Sequence, residues 1–227
     1  MAQTVFDMKA TDLITEHDQK ELDEFFQTLR SPDWVVSSSS KDGLIISWMK
    51  NDKSDVLLVK GEMPINVPVK KAFGFISDDN RFEEFMKTVD GMCKSAKLVE
   101  TLDAKHSVKY ASYSLPPPLW PRDFVWEELN TTVPSGGALS IGKSVEHKAC
   151  PPSTSSFFGS VRGEIAGSGY YIEPCDGADG KCIGHYLVQV DPKGMLPTAA
   201  VNLMATDQGK NLRRLKEYLE KEEAVGR

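Results

Sequence analysis

The sequence predicts an α+β domain in which one long C-terminal helix packs on an antiparallel sheet. Three observations carry that prediction. Short helical patterns sit ahead of residue 90, β-type runs fill most of the stretch from Lys97 to Asp191, and an amphipathic segment closes the chain. In that last segment Val201, Met204, Ala205, Leu212, Leu215 and Leu219 share one helical face.

Each element follows from local chemistry. Thr15 and Asp18 form a capping box with Asp in the usual Glu position, and Leu22, Phe25, Phe26 and Leu29 then recur at helical spacing until Ser31-Pro32 stops the helix. Gly43 to Met49 and Val56 to Met63 read as strands, the second with Leu57 and Val59 on one face and Leu58, Lys60 and Glu62 on the other. Pro68 opens a helix carrying Val69, Ala72, Phe73 and Ile76, and a second short helix carries Phe82, Phe85 and Met86. Strands are then predicted at Lys97–Asp103, His106–Leu115, Phe124–Thr132, Ala138–His147, Val161–Ile172 and Ile183–Asp191. The final helix is predicted from Pro197 to about Glu223, with Gly209 interrupting it at a cost of about 1 kcal/mol relative to Ala. Pro116-Pro117-Pro118 and Pro151–Ser156 read as loops between strands, so residues 1–227 form a single domain with its core at about 15–223.

Composition narrows the function. Hydrophobic content of 40% and charged content of 26% belong to a soluble globular protein. A net charge of −6 argues against nucleic acid as a partner, because phosphate binding needs a basic surface. No apolar run is long enough to span a bilayer, and Met1 to Lys9 lacks a signal-peptide core. Cys93, Cys150, Cys175 and Cys182 form no Cys-x-x-Cys pair, so a reducing, cytoplasmic setting is expected.

Several blocks together carry a family resemblance. They are Pro121-Arg122-Asp123-Phe124-Val125-Trp126, Val145-Glu146-His147 with Cys150-Pro151, Val161-Arg162-Gly163, Ser168-Gly169-Tyr170, and Asp191-x-x-Gly194-x-x-Pro197 with Asn202. In order and spacing they resemble the START domain, the lipid-transfer domain named after the steroidogenic acute regulatory protein. The resemblance covers about half the chain. It departs at Arg81-Phe82-Glu83-Glu84-Phe85, where many members carry Arg-x-x-Trp-Asp near the cavity mouth.

The resemblance implies a helix-grip fold, with a curved antiparallel sheet wrapped around the C-terminal helix and enclosing one lipid. Such pockets typically hold about 300–1,000 Å³. The implied function is a lipid-binding and transfer protein, monomeric, without cofactor or metal, touching membranes transiently and carrying phosphatidylcholine, a sterol or a similar lipid. The alternative is a ligand-sensing or enzymatic member of the same superfamily.

The resemblance also directs attention to particular side chains. Leu115 to Pro121 falls where the family has a mobile loop over the cavity mouth. Its prolines stiffen the loop, so that Leu119 and Trp120 project as a membrane contact or tuck back as a lid. Met204 and Gly209 are gate candidates on the last helix, Gly209 either as a flexible point or as a close-packing glycine. Sterol-type members place an acidic residue and an arginine as a charged pair in the cavity. Counting from Pro121, those positions fall on Lys109 and Glu128 with the charges exchanged. Lys109 shares a face with Ala111 and Tyr113, and Glu128 with Phe124 and Trp126, although a one-residue register shift would turn either to solvent. Trp126, Tyr110, Tyr113 and Tyr170 are further lining candidates, with core packing the competing role for the tyrosines.

Enzymatic signals are weak. His147/Cys150 and Cys182/His185 are spaced three apart, but strand context splays such ligands, and no oxyanion loop accompanies a Cys-His pair. Ser153 to Ser156 reads as a polar loop. The glycines from Gly159 to Gly169 lie in a strand pattern and do not form a phosphate cradle.

Overall fold

The computed structural model describes residues 14–51, 54–115, 119–153, 159–175, 177, 180–194, 196, 201–202, 204 and 207–225. The elements are α1 (Glu16–Leu29), β1 (Val35–Ser39), β2 (Ile45–Asn51), β3 (Ser54–Ile65), α2 (Val69–Ile76), a 3-10 turn (Asp79–Arg81) and α3 (Phe82–Val89). They continue with β4 (Cys93–Thr101), β5 (His106–Tyr113), β6 (Arg122–Thr132), β7 (Ala138–Ser144), β8 (Val161–Arg162), β9 (Glu164–Pro174), β10 (Cys182–Val188), β11 (Val190–Asp191) and α4 (Asn211–Val225). The sheet runs β1-β2-β3-β10-β9-β7-β6-β5-β4 through antiparallel neighbours, with β11 beside β9 and β8 parallel to β6. It is open, with edges at β1 and β4.

The two faces of the sheet carry separate cores. On the outer face, α1 buries Leu22, Phe25 and Leu29 against Leu129, Leu139, Ile141 and Leu187. Its start is fixed by the capping box: the Thr15 hydroxyl accepts from Asp18 N–H at 3.1 Å, and the Asp18 carboxylate accepts from Thr15 N–H at 3.0 Å. On the inner face, α2, α3 and α4 bring Phe73, Ile76, Phe82, Phe85, Leu212 and Leu215 against strand residues that include Met63, Trp126 and Ile172. Strand parity sorts these faces: along β6, Phe124 and Trp126 point inward while Val125 and Leu129 point outward.

Bulges help the sheet curl around the helix, because an extra residue bends a strand and increases its twist. Pairing of β7 with β9 steps from Gly142–Ser168 to Lys143–Ala166, which leaves Gly167 as the extra residue at φ 89°. β4 shifts register twice against β5. The result is the helix-grip arrangement expected from the resemblance.

Two expectations are corrected. β1 was not predicted, and its pattern explains why: all five residues are exposed, so no alternation marks it. The last helix is not continuous. Residues 201–202, 204 and 207–208 are helical, residues 209–210 form a turn, and α4 begins at Asn211. Pro197 and Ala205 lie outside the described residues. Gly209 occupies the turn because two backbones nearly touch there. A Cβ at Gly61 of β3 would lie 2.8 Å from the Gly209 carbonyl oxygen, and a Cβ at Gly209 would lie 3.2 Å from Ile46. Among the described residues no helix is long and apolar enough to cross a membrane.

This contact yields a stability prediction. Gly61→Ala pushes its new methyl into backbone and should cost about 1–3 kcal/mol by urea unfolding. A loss below the error of the measurement would mean that the turn is not clamped as described.

Candidate functional site

The inner face is not filled completely. A cavity of about 170 Å³ lies between the sheet and the helical segments. Phe124 and Trp126 of β6, Tyr170 of β9 and Tyr186 of β10 form its floor, Phe85, Met86 and Val89 of α3 one wall, and Val201, Met204 and Gln208 the side ahead of α4. Tyr170 and Tyr186 stack with ring centroids 4.2 Å apart, and Phe85 meets Tyr170 edge-on at 5.6 Å. Neighbouring inward positions on antiparallel strands bring these rings together. The volume is below the range expected for a lipid pocket because the large aromatic rings fill the lumen. A larger recess of about 650 Å³ lies under α1 on the outer face, lined by Glu21, Lys143, Glu164 and Lys193 as well as by Phe25, Leu58 and Ile141, so that it is far more polar than the inner cavity.

A buried charge cluster supports one wall. Lys109 is fully buried, and its ammonium lies 2.5 Å from Glu128 Oε1 and 3.1 Å from Asp79 Oδ1. Glu128 Oε1 also accepts from Asn130 Nδ2 at 3.0 Å, and Oε2 accepts from Trp126 Nε1 at 3.3 Å. The Phe82 ring covers the ammonium at 4.6 Å. Burial alone would lower the Lys109 pKa, but the two carboxylates outweigh it and hold the group above its ordinary value. The pKa is therefore raised on folding. Its stabilising contribution is full at neutral pH and is lost only as pH rises past the lysine range.

A second buried cation, Arg122, lines the cavity and joins two loops. Arg122 Nε donates to the Pro192 carbonyl at 2.8 Å, Nη1 to the Trp120 carbonyl at 2.5 Å and Nη2 to the Lys193 carbonyl at 3.1 Å. One guanidinium thereby ties the loop ahead of β6 to the loop after β11. The next residue, Asp123, points the other way and receives a two-pronged bond from Arg162 at 3.2 and 3.0 Å, which seats β8.

The START domain family model matches residues 16–223. The chain belongs to that family. Among solved structures, human STARD10 is similar at 21% identity and a TM-score of 0.76, covering 96% of this chain and 84% of its own. Human StAR-related lipid transfer protein 5 is similar at 20% identity and a TM-score of 0.76, over 89% of this chain and 94% of its own. The lipid transfer and protein localization domain of human StarD13 (DLC2) reaches 24% identity and a TM-score of 0.62, over 90% and 98%. These likenesses are of fold. No curated protein sequence matches the chain.

Within this START domain the residues singled out from sequence separate into groups. Glu128, Trp126, Tyr113, Tyr170 and Met204 line the cavity. Lys109 sits behind the wall, under Phe82, and does not line it. Tyr110 requires correction: it faces outward, packs with Val108, Val125 and Cys150, and lies under Lys97 at 5.3 Å. It is one residue from Lys109, and strand alternation allows only one of the two inside. Trp120 is 40% exposed and Leu119 half-buried, while Pro116, Pro117 and Pro118 lie outside the described residues. Gly209 packs on β2 and β3 at the end of the segment that lines the cavity.

The altered stretch at Arg81 has a different employment in this chain. Arg81 binds Glu84 at 2.9 Å, Glu222 at 3.1 Å and the Tyr218 hydroxyl at 2.6 Å, and its guanidinium covers the Phe75 ring at 4.5 Å. It fastens the far end of α4. The two histidine and cysteine pairs do not converge on a metal: His147 binds Glu100 at 2.8 Å and His185 binds Glu173 at 2.9 Å, and no metal-holding cluster occurs among the described residues.

Sequence reading missed Asp79, Asp90, Tyr186 and Gln208. Asp90 had a usable signal, since it extends the Phe82, Met86, Val89 apolar face of α3 by one more position and is buried.

The charge cluster makes a sharp prediction. Lys109→Met leaves two carboxylates facing each other without a cation and should cost about 3–5 kcal/mol in urea unfolding. Adding Glu128→Met should recover much of that loss, because Asp79 keeps partial access to water. Additive losses would show that the two side chains do not act as a pair.

Proposed function

We propose that this START domain binds one lipid in the cavity beneath the segment preceding α4 and carries it between membranes without changing it chemically. The observation that carries the reading is the cavity itself, walled by aromatic and aliphatic side chains inside a family fold that encloses it. Two of the similar structures are described as lipid transfer proteins or domains, which supports the same reading. Against catalysis stands the lining: it includes no histidine or cysteine among the described residues, and the Ser168 hydroxyl accepts the Gln189 N–H at 2.7 Å. The carrier works as a monomer in the cytosol, where its four free thiols are at home. Its cargo is a phospholipid or a sterol.

At about 170 Å³ the cavity accepts a head group or a short length of chain, so a whole lipid needs more room. The segment ahead of Gly209 supplies it. α4 itself is anchored along its length, by Arg213 to Asp42 at 2.6 Å, Lys216 to the Pro64 carbonyl at 3.0 Å and Tyr218 stacked on Phe75 at 4.6 Å. The preceding segment is tied through Asn202, which accepts from Leu57 N–H at 3.0 Å, and Gln208, which donates to Asp90 at 2.9 Å. The turn at Gly209 is the joint between them. Each buried methylene returns about 0.8 kcal/mol, so a long acyl chain readily offsets opening such a segment. Trp120, exposed beside the mouth, is the membrane contact.

The test is lipid transfer between labelled donor and acceptor vesicles, with native mass spectrometry of the protein. Wild type should carry one lipid per chain. Met204→Trp, which fills the lumen, should lose bound lipid severalfold while still folding. Trp120→Ala should slow transfer severalfold and leave the bound fraction at equilibrium unchanged. Undiminished loading of Met204→Trp would place the lipid elsewhere and end this reading.

A further inference from the structure

Asp90 is a buried carboxylate at the end of α3, 4% exposed, and it faces the cavity. Burying such a group is costly unless something compensates its charge. Among the described residues no Lys, Arg or His lies within ion-pair distance of it, unlike Glu128 with its lysine. Oδ1 accepts from the Met92 N–H at 2.9 Å, and Oδ2 accepts from Gln208 Nε2 at 2.9 Å. A carboxylate can accept about four hydrogen bonds, so among the described residues roughly half its capacity is open.

The surroundings hold the carboxylate in place and leave it facing the lumen. Arg214 donates to Asn211 Oδ1 at 2.9 Å, Asn211 Nδ2 donates to Gln208 Oε1 at 2.7 Å, and Gln208 donates to Asp90. This chain of bonds polarises donors toward the carboxylate without bringing a full charge beside it. On the cavity side stand Tyr113, Tyr170 and Tyr186. Burial first, and the Asp90 charge second, raise the pKa of Tyr113; burial also leads for Tyr170, followed by Tyr186 and then Asp90, and for Tyr186 burial and Asp90 outweigh the lowering by hydrogen bonds with Tyr170 and Asn211. All three hydroxyls therefore stay protonated at neutral pH. An acceptor that shares its cavity with aromatic side chains lacks one kind of partner, a donor or a positive group.

We propose that Asp90, with Tyr113 and Tyr186 lining the same cavity, forms a polar subsite that receives a hydrogen-bond-donating head group, either a primary ammonium or a hydroxyl, on the carried lipid. The inference rests on the carrier reading above and goes further by naming the chemistry at one end of the cargo. It separates the role of Asp90 from that of Glu128. Glu128 already holds Lys109, Asn130 and Trp126, so its demand is met by the protein itself. Asp90 selects; the Glu128 cluster supports the wall.

The experiment uses the full chain and two pairs of lipids that differ by methylation of the donor. One arm offers vesicles of equal phosphatidylethanolamine and phosphatidylcholine with matched acyl chains. The other offers phosphatidylcholine vesicles doped equally with cholesterol and cholesteryl methyl ether. Lipid extracted by the protein is counted by mass spectrometry. In at least one arm the donor-bearing lipid should be preferred by about tenfold, the scale of one hydrogen bond to a charged acceptor. The arm that responds tells ammonium from hydroxyl. Asp90→Asn should bring that preference close to unity by lowering extraction of the donor-bearing lipid toward the level of its methylated partner. Should Asp90→Asn not fold, the near-isosteric double variant Tyr113→Phe/Tyr186→Phe should still lower the preference by about threefold. Equal extraction within both pairs, or a preference that survives these substitutions in folded protein, overturns the subsite and leaves the carrier standing. Extraction of no lipid in either arm overturns the carrier, and the subsite with it.

Discussion

The fold depends on how closely α4 can approach the sheet at one place and how far the sheet stands off at another. Contact is closest where Leu212 lies over two glycines: a Cβ at Gly61 would come within 3.2 Å of it and one at Gly184 within 3.1 Å. Leu212, Leu215 and Leu219 are then fully buried. Ahead of that point the sheet presents Tyr170 and Tyr186, whose stacked rings face the cavity below the preceding segment. Small residues at one end and large rings at the other make a wedge, and the cavity is its open side. Packed interiors elsewhere tolerate few voids, so a void here has to be kept open by stiff walls.

Stiffness comes from polar groups placed where they cannot relax. Lys109 with Asp79 and Glu128 binds β5, β6 and the 3-10 turn before α3 into one unit. A hydrophobic trio of similar volume could be as stable, since burying charges costs about what their attraction returns. A well-matched ionic cluster adds geometry. It fixes Trp126 through its indole N–H and sets the Phe82 ring against the ammonium. The same logic holds at Arg122, whose fork matches three carbonyls on two loops and would be unsatisfied if either loop left.

Much of this architecture was legible in the sequence, for identifiable reasons. Thr15 and Asp18 announce the first helix because the capping chemistry is local. β6 was legible because its run of β-type residues is buried almost throughout, and Glu128 and Trp126 reached the cavity side through the family resemblance, with strand parity placing both on the face of Phe124. Tyr110 was misassigned, since it competes with Lys109 for the inner face and strand geometry permits one of them. β1 escaped because a fully exposed edge strand buries nothing that periodicity could register. The break at Gly209 was half visible: glycine marked the spot, but the cause is a contact with Gly61, nearly 150 residues distant in sequence, that no local pattern encodes.

The residues that made the family recognisable overlap with the cavity lining at Arg122, Phe124, Trp126, Ser168, Gly169 and Tyr170, but several of them also do structural work. Arg122 and Asp123 latch loops and seat β8, and Gly163 and Gly169 leave room for Phe124 and for the β7 backbone, where a Cβ would come within 2.2 and 2.1 Å. These are requirements of closing a cage, and they hold for any guest. The lumen is shaped by Asp90, Tyr113, Tyr186 and Gln208, which come from a helix end, two strands and the segment before α4. Each is an ordinary residue in its own stretch of chain, and only the tertiary fold assembles them. A cage can therefore be read from blocks of sequence, while the polar groups that such blocks leave inside it, here Asp90 with its bonds to Met92 and Gln208, come into view only in the fold.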